Sequence, residues 1–249
     1  MELVFEDASV FKRFIDGIAV LVDEAEFIVD DRGMVLKATD PSQISLVDFE
    51  LPKSTFKSFN VTQPSKIGLD LNYFNQIMGR AKSSDSVHLA LAEENSKLTV
   101  TFLGASKRKF LVPLLDLASQ ELPTPKIDFD AELKIKADAL QDSFKDAGLI
   151  STHIVLAVEN NSFIIRANSS KGNLENVYSE GDKAVVSLKA RDEARAMFPL
   201  EYLSSIVKAA SSDTDVVVKL KTNAPVELEY HVGGGRLKYF LAPRIEDSQ

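Results

Sequence analysis

The chain has 249 residues, 45% of them hydrophobic, with 11 Gly and 9 Pro, which suits one to two domains of roughly 150 residues and excludes disordered and collagen-like classes. It has no Cys and no Trp, and its three His (His88, His153, His231) lie far apart, which excludes disulfide frameworks, Cys-based zinc or iron–sulfur sites and a Cys nucleophile. The net charge of −8 excludes a surface that is basic all over, but not a local basic face inside an acidic shell.

In chain order, the apolar spacing predicts short strands at Glu2–Phe5, Glu26–Val29, Met34–Thr39, Ile44–Leu51, Val87–Ala92, Leu98–Leu103 and Arg108–Val112. Two helices interrupt them. In the first, Phe11, Phe14, Ile15, Ile18 and Val22 form one face, with Ser9 as its N-cap. The second covers Asn72–Ala81, with Phe74, Ile77 and Met78 apolar. Pro123 and Pro125 then break regular structure within Asp116–Phe129 and favour an extended connector. Beyond it, helices are predicted at Asp138–Leu149 and Glu201–Ala210. Strands are predicted at His153–Val158, Ser162–Ala167, Ala184–Leu188, Val216–Leu220, Val226–Val232 and Leu237–Leu241. Turn signals fall at Asp31-Arg32-Gly33, Glu94-Asn95, Asn160-Asn161 and Gly233-Gly234-Gly235.

The second half repeats the first. A shift of 129 residues lays Leu71-Asn72-Tyr73-Phe74 on Leu200-Glu201-Tyr202-Leu203, and Ile77, Ala81, Ser83 and Val87 on Ile206, Ala210, Ser212 and Val216. It also lays Phe11 on Leu140, Ile15 on Phe144, Met34 on Phe163 and Leu36 on Ile165. Near the end the shift becomes 130, with Phe110, Pro113 and Leu115 meeting Phe240, Pro243 and Ile245. The reading is a duplicated α+β chain: domain 1–116, connector 117–129 and domain 130–249, each with two short helices packed on one sheet face. No stretch approaches the roughly 18 apolar residues of a membrane span, and the start MELVFEDASV has no leader pattern, so a soluble intracellular protein is expected.

Enzymatic motifs are absent. His88 and His231 fall in strand patterns, and His153 has no partner at metal-ligand spacing. Gly233–Gly235 lacks the Lys-Ser/Thr of a phosphate loop and reads as a hairpin turn. Acidic runs such as Asp23-Glu24 and Glu93-Glu94 read as solvated turns and caps. No catalytic residue, metal or cofactor is expected.

Longer stretches resemble a known family. Pro225-Val226-Glu227-Leu228-Glu229-Tyr230, then Gly235 through Leu241-Ala242-Pro243-Arg244-Ile245-Glu246-Asp247, resemble the end of the sliding clamp family, proliferating cell nuclear antigen (PCNA). So does Gly33 followed by Ala38-Thr39-Asp40-Pro41-Ser42-Gln43-Ile44-Ser45-Leu46-Val47, and the Asp40-Pro41-Ser42 form is similar to archaeal members. The resemblance runs over essentially the whole chain. It implies a DNA-clamp fold, a homotrimeric ring around duplex DNA without sequence preference, and a clamp loader that opens the ring. It further implies DNA polymerase, flap endonuclease and DNA ligase as partners, docking through short motifs, with no membrane association. Localisation is implied to be cytoplasmic and nucleoid-associated if archaeal, nuclear if eukaryotic. A subunit of a heterotrimeric or checkpoint-type clamp is the alternative; a duplicated β-rich enzyme with a cryptic site is a further one.

The resemblance also assigns residues. DNA-facing positions fall on Lys12, Arg13, Lys145 and Lys208, while family-basic positions hold Ala19, Gln76, Gly79 and Glu201. The partner pocket falls on Gln43, Ile44, Leu46, Leu122, Phe129, Pro225, Phe240, Leu241, Ala242 and Pro243; Thr39 and Gln43 depart from the family's methionine-like and histidine-like choices. At the subunit interface, Asp138, Asp142 and Asp146, spaced to share a helix face, match an acidic stripe. Arg80, Lys82 and Arg108 match the basic cluster it faces, and strand Lys107–Val112 is expected to pair with a neighbour's strand containing Val177 and Tyr178.

Overall fold

The computed structural model describes residues 1–91, 96–118 and 122–244. Expectations at Ala92, Glu93–Asn95 and Ile245 lie outside these residues. Two units divide the chain: one from Met1–Gln43, Val47–Pro123 and Val232–Leu237, the other from Ile44–Leu46, Thr124–His231 and Lys238 onward.

The first unit contains β1 (Glu2–Phe5), α1 (Ala8–Ala19), β2 (Glu24–Val29), β3 (Gly33–Thr39), β4 (Ser45–Pro52), β5 (Ser58–Asn60), β6 (Ser65–Asp70), α2 (Leu71–Met78), β7 (Ser86–Leu91), β8 (Lys97–Leu103) and β9 (Lys107–Pro113). Its strands run in the orders β5-β1-β7-β8-β9 and β4-β3-β2-β6. The second unit contains β10 (Ala131–Lys136), α3 (Ala137–Gly148), β11 (His153–Glu159), β12 (Ser162–Ser169), β13 (Gly172–Ser179), β14 (Val185–Ala190), β15 (Ala194–Pro199), α4 (Leu200–Lys208), β16 (Asp215–Leu220), β17 (Val226–Val232) and β18 (Gly235–Leu241). Its orders are β14-β10-β16-β17-β18 and β13-β12-β11-β15, so each neighbour relation of the first unit recurs.

The duplication is visible in the element ends. Adding 129 to α1, β6, β7 and β8 gives the bounds of α3, β15, β16 and β17 residue for residue. The last strand departs from this and from the expected shift of 130, because β18 starts 128 residues after β9. Its hairpin is one residue shorter: Gly233 and Gly234 (φ 50° and 85°) supply the two positive-φ positions of a tight primed turn.

Four strands were not anticipated, β5, β6, β10 and β15, while β13 covers the strand expected around Val177 and Tyr178. The N-cap of α1 is Asp7, not Ser9, and its carboxylate accepts the N–H groups of Ser9 (2.8 Å) and Val10 (3.2 Å). The Ser9 hydroxyl donates to the same carboxylate, and these bonds hold its pKa below the usual value.

Nor do the helices of the first unit lie on a single sheet. The Phe14 ring of α1 packs against Phe5 of β1 (6.2 Å) and against Phe49 of β4 (5.4 Å), one from each strand run. The second unit buries two tyrosines completely. Tyr230 donates to the Ile206 carbonyl at 2.8 Å, and its hydroxyl lies 3.2 Å from that of Tyr239. Gln141 of α3 donates to the carbonyls of Val207 and Ala210, closing the open C-terminal end of α4.

Candidate functional site

The amphipathic pattern of α1 buries Phe11, Phe14, Ile15 and Ile18 and leaves Lys12 and Arg13 half-buried on the other side. Lys12 is ion-paired with Asp16 one turn on. Lys145 of α3 is likewise paired with Asp142 at 2.9 Å, with both side chains 73% exposed. Lys208 closes α4 and is exposed. Two of the four expected cations therefore already face carboxylates of their own helix. In sequence, α1 carries two cations and one carboxylate, α2 none, α3 one and three, and α4 one of each. The helices bring no excess of positive charge.

The expected partner residues fall in both units. In the first unit, half-buried Leu122 lines a cleft of about 700 Å³ with Leu117, Ala118, Thr39, Ile28 and Val35. Ile28 and Val35 are a cross-strand pair of β2 and β3, 40% and 37% exposed. The sequence reading missed these two because alternation assigns a strand's faces without saying which face a connector approaches. Gln43 sits exposed nearby in sequence with φ 58°.

In the second unit, Ala242 donates to the Ile44 carbonyl at 2.8 Å and Arg244 to that of Met197 at 2.8 Å. That holds Ala242 and half-buried Pro243 beside Ile44, and adds Met197, which sequence reasoning did not single out. Pro225 is half-buried ahead of β17. Three expected wall residues are buried: Leu46 is 8% exposed, Phe240 3% and Leu241 0%. Leu241 continues the inward set of Leu237 and Tyr239, whereas Leu46 and Phe240 lie on the opposite faces of their strands and are covered there. Phe129 lines a separate, smaller cleft with Ala131, Ala190 and Lys219.

Of the expected subunit-interface residues, Arg108 lies on edge strand β9 and Val177 and Tyr178 on edge strand β13. Val177 is 50% exposed on β13, and Leu111 is 52% exposed on β9. Tyr178 faces inward, its hydroxyl bonded to Ser143 (2.6 Å) and the Ala139 carbonyl (3.1 Å), so it joins β13 to α3. Asp138, Asp142 and Asp146 lie on α3, all three exposed. Arg80 and Lys82 are exposed after α2. Arg108 departs from expectation, because its guanidinium is already paired with Asp85 of its own unit.

Titratable chemistry is sparse. His88 on β7 has its pKa lowered by burial and by Lys107 and Lys57; His153, opening β11, has its pKa lowered by burial and by Arg244. Among the described residues, no group of three or more His, Cys, Asp or Glu is placed to hold a metal, and no helix is long and apolar enough to cross a membrane.

Two copies of one sheet-and-helix plan, each keeping an unpaired edge strand, define a duplicated clamp-type subunit. The sequence profile of the PCNA N-terminal domain matches residues 1–124, and that of the C-terminal domain residues 123–245. A DNA polymerase sliding clamp of Thermofilum pendens is 36% identical over 99% of this chain and 100% of its own. PCNA of Thermococcus kodakaraensis has a structure of TM-score 0.94 to this one, at 27% identity over 98% of this chain and 99% of its own. A. fulgidus PCNA, solved with the C-terminal region of FEN-1 bound, gives TM-score 0.90 at 26% identity over 99% of both. The chain belongs to the proliferating cell nuclear antigen family.

Proposed function

We propose that this chain is a DNA polymerase sliding clamp, a non-enzymatic processivity factor. Three copies close a ring around duplex DNA inside the cell, loaded by a clamp loader. The ring raises the effective concentration of a tethered polymerase, flap endonuclease or ligase at its substrate. Full-length family membership, in a fold that leaves β9 and β13 unpaired, carries this reading. Pairing those edges between copies removes two templates for aggregation. Lys12, Arg13, Lys145 and Lys208 contact phosphates without reading bases. Arg80 and Lys82 face Asp138, Asp142 and Asp146 of the next copy.

Light scattering of the pure chain, followed by polymerase extension on a long primed circle with and without clamp loader, tests the proposal. A trimer that lengthens products only with loader supports it. A monomer that needs other clamp chains before it acts would instead identify a heterotrimer subunit.

Partner motifs dock on the cleft lined by Leu117, Ala118 and Leu122 and on the Ile44, Pro225 and Ala242–Pro243 surface, together with Leu46, Phe240 and Leu241. Leu122→Ala is the cleanest probe, because a connector residue matters little to either core. A peptide with two aromatic anchors should bind that variant about tenfold more weakly, a loss of upward of 1 kcal/mol. Equal calorimetric affinity for a folded Leu122→Ala protein would remove the connector from the site.

A further inference from the structure

The three cations matched to the subunit seam are not equivalent. Arg80 and Lys82 are exposed, whereas the Arg108 side chain is only 24% exposed. One of its guanidinium nitrogens donates to the Asp85 carboxylate, and another donates to the Arg80 carbonyl at 2.6 Å. The guanidinium carbon lies 5.1 Å from the centroid of the Phe102 ring.

Asp85 is 2% exposed, and its Oδ2 takes the Arg108 bond. Its Oδ2 also accepts the Lys82 N–H at 2.8 Å, and its backbone exchanges bonds with the Lys82 carbonyl (3.0 Å) and the Ala8 N–H (2.9 Å). Gly104 leaves room for the carboxylate, since a Cβ there would collide with Asp85 Oδ1. A buried carboxylate needs its counter-charge close by, so this guanidinium is committed within its own unit.

We infer that Arg108 is a positioning residue of the seam and not one of its ion pairs. With Asp85 it ties edge strand β9 to the turn that presents Arg80 and Lys82, and those two carry the charge contacts to the acidic stripe of the next copy. The inference rests on the ring reading above. It differs from that reading in making Asp85, which no seam contact requires, necessary for assembly.

Double-mutant cycles on the trimer dissociation constant, measured by sedimentation equilibrium on the full chain, separate the roles. Arg108→Gln should weaken the trimer by about tenfold, and combining it with Asp142→Asn should multiply the two effects to within roughly twofold. Lys82→Gln with Asp142→Asn should instead deviate from independence by at least about threefold. Arg108→Lys, which keeps the charge and loses the two-pronged bonding, should behave like Arg108→Gln. Coupling of Arg108 to Asp142 as large as that of Lys82, or wild-type assembly by Arg108→Lys, would overturn the inference. A separate cycle on thermal unfolding, Arg108→Gln against Asp85→Asn, should be strongly non-additive whatever the assembly state. If that cycle holds while wild type is monomeric, the ring reading fails; if it is additive, the internal tie itself fails.

Discussion

Reversing Asp142 and Asp146 to Lys on one chain is expected to convert the trimer to monomer at concentrations where wild type stays assembled. Both carboxylates are exposed on α3, and like charges brought face to face across a seam cost several kcal/mol. The reversal also places a lysine three residues before Lys145, a repulsion of a few tenths of a kcal/mol that leaves the helix folded. Adding Arg80→Glu and Lys82→Glu should restore much of the trimer, because both sides of every seam are then exchanged. Using Arg108→Glu in the restoring pair should not. It would set a second carboxylate beside Asp85, which is 2% exposed, and breaking such a pair costs roughly 3–5 kcal/mol when both groups are buried, less here because Arg108 is partly exposed. Sedimentation velocity at moderate salt reads all three variants. A double Lys variant that still runs as a trimer at low concentration would leave strand pairing alone to close the ring.

Changing Lys12, Arg13, Lys145 and Lys208 together to Ala should weaken DNA contact and flatten its salt dependence while the trimer survives. Each neutralised phosphate contributes about −0.9 to the slope of log K against log salt, so four independent contacts would remove roughly 3.6. The expected loss is smaller, because Lys12 and Lys145 must first leave Asp16 and Asp142. Asp16→Asn should act in the opposite direction and tighten the contact. Clamp-assisted synthesis measured across a salt series checks both, and a quadruple variant indistinguishable from wild type at every salt would show that DNA passes along other residues.

Strongly periodic segments could be read from the sequence because local pattern and burial agree. The Phe11, Phe14, Ile15 and Ile18 face of α1 is buried as expected. The strands that escaped notice are those whose pattern is diluted. In β15 the strand runs directly into α4 at Pro199; β13, Gly-Asn-Leu-Glu-Asn-Val-Tyr-Ser, is a polar edge and was expected only through the family resemblance. Strand β10 is legible in the repeat, since adding 129 to β1 lands on its first four residues. The cap of α1 was misassigned because Ser9 and Asp7 are both good caps, and which of them turns out of the helix depends on the Ala8–Asp85 bond, a contact far away in sequence. Site residues were legible as types but not as environments. Nothing local in Lys107-Arg108-Lys109 says that the middle cation is taken by Asp85, and nothing in Phe240-Leu241 says that both faces of β18 are covered there.

With no tryptophan in the chain, its near-ultraviolet signal comes from five tyrosines, and two of these form the sealed pair Tyr230 and Tyr239. Burial raises both phenols well above the ordinary value near 10. A raised folded value means that their stabilising contribution is intact below about pH 10 and is lost as pH rises beyond it, because only the unfolded chain then releases those protons. Alkaline titration of the protein should therefore give a phenolate absorbance rise whose second stage, from Tyr230 and Tyr239, is late and abrupt. The second stage would coincide with loss of circular dichroism and would mark the opening of the second unit's core, a built-in optical reporter needing no label.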